Sequence, residues 1–288
     1  MTSQQTAMSI QALRNRVRLT DPYTAAALSH LAEPLMGLAD GDHPITLPEG
    51  CGHLLIATGS GGGTTTLLRT LAAQALGRGA RVDLIDPSGT GHPWATHLPR
   101  LTYLSRIDAI HDHLLLIAAS LRDNTGHHAG AWEQRRVLVI ENASTVAYAL
   151  RQFWMHTRPE TQLQEPPGVE ALALLLAAGP SAGIQVLAGS PRGTLPGLGS
   201  TPVREVFPTR VLAYGAMTLW QRVAPEVWPV PPYSITPGRM HVVEGGTCTV
   251  MQALTLTDPE ARALARGHLP TAAPPPRTKQ HQRKESSR

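Results

Sequence analysis

Short apolar runs alternate with longer stretches in which apolar residues recur every three or four positions, and this pattern holds from about residue 53 to residue 254. Four to six aliphatic residues in a row suit a buried strand, and recurrence at helical spacing marks a helix with one buried face. Strands are therefore expected at 53–57, 81–86, 137–141, 184–187 and 210–213, with helices over about 65–77, 106–122, 144–155 and 217–223. In the helix over 65–77, Leu67, Leu68, Leu71, Ala72 and Leu76 fall at helical spacing, and Gly77 and Gly79 supply the stop. Val137-Leu-Val-Ile140 and Ile184-Gln-Val-Leu187 are short and mostly aliphatic, as strands covered on both faces must be. The alternation predicts an α/β fold with a largely parallel sheet and helices on both faces.

The flanks read differently. Residues 1–23 are polar, carry Arg14, Arg16 and Arg18, and predict a short helix or arm, followed by a helical stretch near 24–36. Asp40-Gly41 offers a hairpin turn before Ile45 and Leu47, which alternate toward the core. Residues 191–207 are rich in Gly and Pro and predict an exposed loop. A proline-laden crossing at 225–238 leads to a closing antiparallel pair at 239–243 and 247–254. From Gly267 onward, Pro270, Pro274 to Pro276 and the charged residues argue against folding. The expected organisation is an extension over 1–42, one domain over 43–256 and a disordered Pro-rich basic tail over 257–288.

Composition changes this picture in three places. Hydrophobic residues make up 42% of 288, enough for a substantial core, but aromatics are only 4%, so aliphatic packing must dominate. No apolar stretch approaches the roughly 18 to 20 residues that span a bilayer, and the polar start has no secretory pattern, so the expected compartment is the cytoplasm. Formal charge is +4, and residues 277–288 account for all of it: Arg277, Lys279, Arg283, Lys284 and Arg288 against Glu285. Such a tail can hold the phosphate backbone of double-stranded DNA through salt-sensitive contacts, or simply keep the chain soluble. Cys51 and Cys248 are far apart and fit buried reduced thiols, while the pairs His111/His113 and His127/His128 lack metal-site spacing and are expected at the surface.

The chemistry concentrates at His53-Leu-Leu-Ile-Ala-Thr-Gly-Ser-Gly-Gly-Gly-Thr-Thr-Thr66, an apolar strand running through glycines into a helix. Against the phosphate-binding pattern G-x-x-x-x-G-K-[ST], Thr58 stands at the first glycine, Gly63 at the second, Thr64 at the lysine and Thr65 at the Ser/Thr. A threonine carries no charge to replace the ammonium that reaches the β- and γ-phosphates. The chain's two lysines, Lys279 and Lys284, lie in the tail. Gly61, Gly62 and Gly63 keep backbone donors and Thr64, Thr65 and Thr66 add hydroxyls, so weak binding of ATP or ADP remains open. Two other readings stay open for the same loop. Gly59-Ser60-Gly61 with Asp86 would begin a dinucleotide site, although the 27-residue separation exceeds the usual value of about 20, and a plain strand-to-helix turn needs no ligand at all.

Val137-Leu-Val-Ile-Glu-Asn142 is similar to a Walker B strand, in which the terminal acid holds Mg²⁺. Glu141 keeps that carboxylate and would share the metal with Thr65, but Asn142 replaces the second acid and cannot accept a proton as a general base. With these segments, Ala182-Gly183-Ile184, Pro208-Thr209-Arg210-Val211, Ala224-Pro225-Glu226-Val227-Trp228-Pro229 and Pro237-Gly238-Arg239 occur in the order found in the FtsK/SpoIIIE group of DNA-pumping ATPases, and the chain resembles the compact actinobacterial members.

That resemblance implies a RecA-like P-loop NTPase fold over about 43–254, ATP or ADP with Mg²⁺ as ligand, and double-stranded DNA and a homo- or hetero-oligomeric ring as partners. It also sets Ser190-Pro191 where the family carries Gln-Arg at its γ-phosphate sensor, and it makes Arg210 a candidate to reach a neighbouring subunit's nucleotide. Thr64, Asn142 and Ser190 all depart from the ATPase pattern, so no catalytic residue is assigned. The expected function is a translocase homologue acting as a nucleotide-binding or scaffold pseudo-ATPase. An active DNA-dependent ATPase with an atypical loop is the first alternative, and a dinucleotide-dependent oxidoreductase the second.

Overall fold

A computed structural model describes residues 13–48, 52–124, 135–159, 165–195, 201–213, 215–232 and 234–268. In chain order the strands are β1 (Val17–Arg18), β2 (Leu35–Leu38), β3 (Pro44–Thr46), β4 (Leu54–Ala57), β5 (Arg81–Ile85), β6 (Leu101–Leu104), β7 (Arg136–Ile140), β8 (Ile184–Gly189), β9 (Thr209–Leu212), β10 (Arg239–Glu244) and β11 (Thr247–Thr255). The helices are α1 (Pro22–His30), α2 (Thr64–Gly77), α3 (Ile107–Asn124), α4 (Ala143–Thr157), α5 (Pro167–Ala178), α6 (Val203–Val206), α7 (Met217–Val223) and α8 (Asp258–Ala265).

All the strands join one sheet in the order β3-β2-β11-β10-β9-β4-β8-β7-β5-β6, with β1 added parallel to β11. From β9 through β4, β8, β7 and β5 to β6 every pairing is parallel. From β9 toward β3 every pairing is antiparallel. β4 sits inside the parallel part, between β8 and β9, and its residues alternate between two cores. Leu54 and Ile56 face one cluster with Leu67, Leu68 and Leu71 of α2, whereas Leu55 and Ala57 face another with Leu114 of α3, Val146 of α4 and Leu172 of α5. All four β4 side chains have no exposed surface, so each aliphatic one contributes about 1.5–3 kcal/mol by burial. The strand that delivers the glycine loop is thus held from both faces and both edges.

The expected α/β fold and parallel sheet are observed, with differences at the flanks. The helix expected over 24–36 ends at His30, because Pro34 disfavours helical backbone at Glu33 and the next residues form β2. Leu35 and Met36 are fully buried, and the Gln74 amide brackets Leu35, its Oε1 accepting from Leu35 N at 2.8 Å and its Nε2 donating to Leu35 O at 2.9 Å. Pairing of β1 and β2 with β11 makes residues 17–18 and 35–38 part of the domain sheet, so the boundary at residue 42 does not hold. The boundary at residue 256 also moves. Thr257 and Glu260 form a reciprocal capping box that starts α8, and α8 packs along α2, where a Cβ on Gly77 would lie 2.4 Å from Leu264 O. The short α6 interrupts the loop expected over 191–207, and β6 and α5 are additional elements.

His111 and His113 are not surface residues. His113 Nε2 bonds Asp83 Oδ1 at 2.9 Å, in a buried group completed by the Arg136 guanidinium on Asp83 Oδ2, and His111 packs on Phe153 with ring centroids 5.2 Å apart. Cys248 is a partly buried free thiol, raised by that burial. Cys51, His127, His128 and the basic stretch 277–288 lie outside the described residues.

Candidate nucleotide site

β4 ends at Ala57, and residues Thr58 to Gly63 turn the chain into α2 at the carboxyl edge of the parallel strands, where open α/β sheets bind their ligands. Two glycines make the turn. A Cβ on Gly62 would lie 2.0 Å from Thr58 O, which no side chain tolerates, and Gly63 at the start of α2 has φ +96°, in the left-handed region. Nothing lies within 4 Å of where a Gly61 side chain would begin, so the loop opens outward there. Among the described residues the amides of Ser60, Gly61 and Gly63 meet no backbone carbonyl, and the first turn of α2 adds its own unmatched N–H groups. The loop therefore forms a concave row of donors at the positive end of a helix dipole, which fits phosphate oxygens.

The residue at the lysine position does something else. Thr64 is 9% exposed, and its Oγ1 pairs with Thr58 Oγ1 at 2.6 Å. Its methyl group faces Gly189 on β8, where a Cβ would come within 2.6 Å. The side chain is turned into the sheet edge and cannot substitute for a cation.

Thr65 and Glu141, the residues expected at a metal, meet directly, the Thr65 hydroxyl donating to Glu141 Oε1. Glu141 Oε2 bonds His92 Nε2 at 2.7 Å. Trp94 Nε1, which can only donate, lies 3.1 Å from His92 Nδ1. That bond fixes Nδ1 as an acceptor and leaves Nε2 as the donor to Glu141. His92 and Trp94 are almost wholly buried, so the carboxylate is held from behind by a rigid pair. Both Thr65 and Glu141 offer oxygens suited to Mg²⁺.

Sequence reading missed His92, which lies on the loop after β5. Asp86, at the start of that loop, accepts from Ser88 N at 3.0 Å, Ser88 Oγ at 2.6 Å, Gly91 N at 2.8 Å and Tyr103 OH at 2.8 Å. Burial would raise its carboxyl, but these bonds outweigh burial and hold it below the usual carboxylate range, while the Tyr103 phenol is pushed up by its own burial and by Asp86. With no exposed surface, Asp86 shapes the loop that delivers His92 and is not free to bond a ribose.

The other expected positions hold structural roles. Asn142 caps α4, its Oδ1 accepting from Thr145 N at 3.1 Å. Ser190 is fully buried and donates to Thr194 O at 2.8 Å, beside Ser144 Oγ at 3.2 Å. Arg210 differs most from expectation. Its side chain is 3% exposed, ion-paired to Glu226 Oε1 at 2.7 Å and bonded to Val223 O at 3.3 Å, so the guanidinium is committed inside its own domain rather than presented to a neighbour. Glycine loop, Thr65 and Glu141 come together, with Asp86 beside them in a structural role; Arg210 does not join them.

This fold is that of P-loop ATPases. No family model and no curated protein matches the sequence. Among solved structures, the chain is similar to the pCW3 conjugation coupling protein TcpA in its monomer form with ATPγS, with TM-score 0.63 and 15% identity over 87% of this chain and 72% of that one. It is similar to the cytoplasmic domain of the type VII secretion ATPase EccC of Thermomonospora curvata, with TM-score 0.64 and 17% identity over 85% of this chain and 28% of that one. ATPases 2 and 3 of EssC from Geobacillus thermodenitrificans match with TM-score 0.65 and 14% identity over 86% of this chain and 46% of that one. The chain thus spans less than half of the EccC and EssC structures. No helix among the described residues is long and apolar enough to cross a membrane.

Proposed function

We propose that this protein is a FtsK/SpoIIIE-like translocase homologue that binds ATP or ADP with Mg²⁺ weakly, does not hydrolyse it at an enzymatic rate, and acts in the cytoplasm with DNA or with an ATPase ring. The observation that carries the reading is Thr64, uncharged and bonded to Thr58 where a phosphate-binding lysine would stand. Gly61, Gly62 and Gly63 would hold phosphate oxygens through their amides, Thr64, Thr65 and Thr66 would add the N–H groups of the first helical turn, and Thr65 with Glu141 would hold the metal. A bound Mg²⁺ neutralises phosphate charge. The Asn142 amide has no basic oxygen free to take a proton from water, and Ser190 is turned toward Thr194. The retained contact between Thr65 and Glu141, braced by His92, supports the alternative of an active ATPase with an atypical loop.

Turnover separates the two. Purified protein is expected to hydrolyse ATP no faster than a buffer blank, with or without double-stranded DNA, and Thr64→Lys alone is expected not to restore full activity because Asn142 and Ser190 remain. Turnover of about 1 s⁻¹ or more that disappears in Gly63→Val establishes the active alternative and removes the proposal. Calorimetry on the same preparations reads whether nucleotide binds at all.

The DNA contact is assigned to residues 277–288, whose formal charge equals that of the whole chain. Deleting them is expected to abolish most DNA binding, and binding by the full chain is expected to fall steeply with salt and to show no sequence preference. Equal affinity of the full and truncated chains in a gel-shift titration moves the contact to the folded surface.

A further inference from the structure

The glycine loop opens onto a cavity of about 520 Å³ whose walls include the Ser60–Gly63 loop, Arg16, Arg18 and Arg239. Among the described residues no acidic side chain lines it, so the wall carries three positive charges and no negative one. Backbone donors of the loop add partial positive charge to the same space. A cavity with this imbalance favours a polyanion.

The arginines are built into it. Val17 and Leu19 are fully buried, which anchors the segment beside β11 through Val17 opposite Leu254 and Arg18 opposite Thr255. Side chains alternate along extended chain, so Arg16 and Arg18 share the opposite, exposed face. The segment is fastened further by Arg14, whose guanidinium forks onto Asp42, with Nη2 2.6 Å from Oδ2. Arg239 Nη2 donates to Arg14 O at 3.0 Å and its Nε to Gln252 Oε1 at 3.1 Å, so the third arginine ties the segment to β10. Among the described residues the guanidiniums of Arg16 and Arg18 make no hydrogen bond or ion pair, and the nearby Asp21 carboxylate accepts from the Arg18 backbone amide at 2.9 Å. Two unpaired cations are thus held on a fixed segment facing the donor loop.

We infer that Arg16 and Arg18 supply the cationic charge that Thr64 lacks, binding the phosphates of a nucleoside di- or triphosphate whose phosphate chain lies on the glycine loop. The inference rests on the nucleotide-binding reading of that loop. Arginine matches phosphate through paired donors and stays charged at every working pH. Ile235, 85% exposed on the cavity wall, gives a base an apolar surface. The cavity is half open and continuous with the loop, so a phosphate chain seated on the loop shares one space with the arginines.

The test is calorimetry of ATP, ADP and adenosine against the full chain and three variants: Arg16→Gln/Arg18→Gln, Arg16→Lys/Arg18→Lys and Gly62→Val. Removing both guanidiniums is expected to weaken ATP and ADP by at least about tenfold, the size of a lost charge-assisted hydrogen bond, with adenosine unchanged. The lysine pair is expected to keep most of the affinity, and Gly62→Val to bind no phosphate ligand. Unchanged melting temperatures of the arginine variants check that the segment stays docked. If the glutamine pair binds ATP as wild type does while Gly62→Val fails, the arginine role is overturned and the loop reading stands. If adenosine weakens as much as ATP, the arginines do not act on phosphate and the inference fails. Absence of ATP binding by the wild-type chain at millimolar concentration overturns both.

Discussion

Glu226→Ala is expected to destabilise the protein by about 3–5 kcal/mol, the usual penalty for leaving a buried charge without its partner. The Arg210 side chain it would abandon is 3% exposed, Glu226 itself is 27% exposed, and the Arg210 Nε already has no partner. Without the carboxylate only the 3.3 Å bond to Val223 O remains for the whole guanidinium. The reverse change is gentler. Arg210→Met leaves Glu226 at the surface side of the pair, where water can take over its hydration, and the methionine fills part of the vacated volume. Urea unfolding of both variants should therefore show the larger loss for Glu226→Ala. Equal losses below about 1 kcal/mol would mean that the pair is screened by solvent, and the placement of Arg210 inside the domain would lose its meaning.

Arg210 also shows what a sequence hides. Its position in Pro208-Thr209-Arg210-Val211 matches a family segment, but burial and the partner 16 positions downstream emerge only when β9 packs beside β10 and the 224–227 turn folds back. The glycine loop and Glu141 were legible because both follow uninterrupted aliphatic runs, Leu54–Ala57 and Val137-Leu-Val-Ile140, whose ends the pattern fixes. His92 was not, since nothing in Gly91-His92-Pro93-Trp94 states which carboxylate a loop histidine will meet. β6 escaped because Leu101-Thr-Tyr-Leu104 is half-buried at the sheet edge and lacks a continuous apolar run. α5 escaped for the opposite reason. Its run Val169-Glu-Ala-Leu-Ala-Leu-Leu-Leu-Ala-Ala178 is apolar nearly all round, so it shows no helical period. The helix expected near 24–36 overran into β2 because Leu28, Leu31 and Leu35 fall at helical spacing across a break set by Pro34. Only the last of these misses is a local pattern overridden by packing; in the others the local sequence carries no pattern to read. The Thr257/Glu260 capping box is different, because its Thr-x-x-Glu spacing was readable in advance.

His53 predicts a second large effect, on the dependence of stability on pH. The residue is 1% exposed at the start of the strand that carries the glycine loop. Its Nδ1 accepts from Val186 N at 2.9 Å, and its Nε2 lies 3.0 Å from Leu176 O, so the neutral ring bridges β8 and α5. Burial pushes its pKa from 6.5 down to about 4, because charging the ring would place an uncompensated cation in the core and turn the Nδ1 acceptor into a second donor facing an N–H group. A lowered histidine pKa means that the unfolded chain takes up the proton first, so stability falls as pH drops below about 6.5 and the loss is complete near pH 4. The difference between the two pKa values corresponds to about 3 kcal/mol. His241, lowered by burial and by Arg239, adds a loss of the same sign, whereas Asp83 and Asp86 titrate below their ordinary range and act only at lower pH. His53→Gln keeps one acceptor and one donor but gains no proton. Urea unfolding at pH 7.5, 5.5 and 4.5 should give a wild-type curve that falls by about 2.5 kcal/mol more than the glutamine variant's across that range, even if the variant starts lower. Parallel curves would show that His53 is hydrated in solution, and with it the start of β4 beneath the glycine loop.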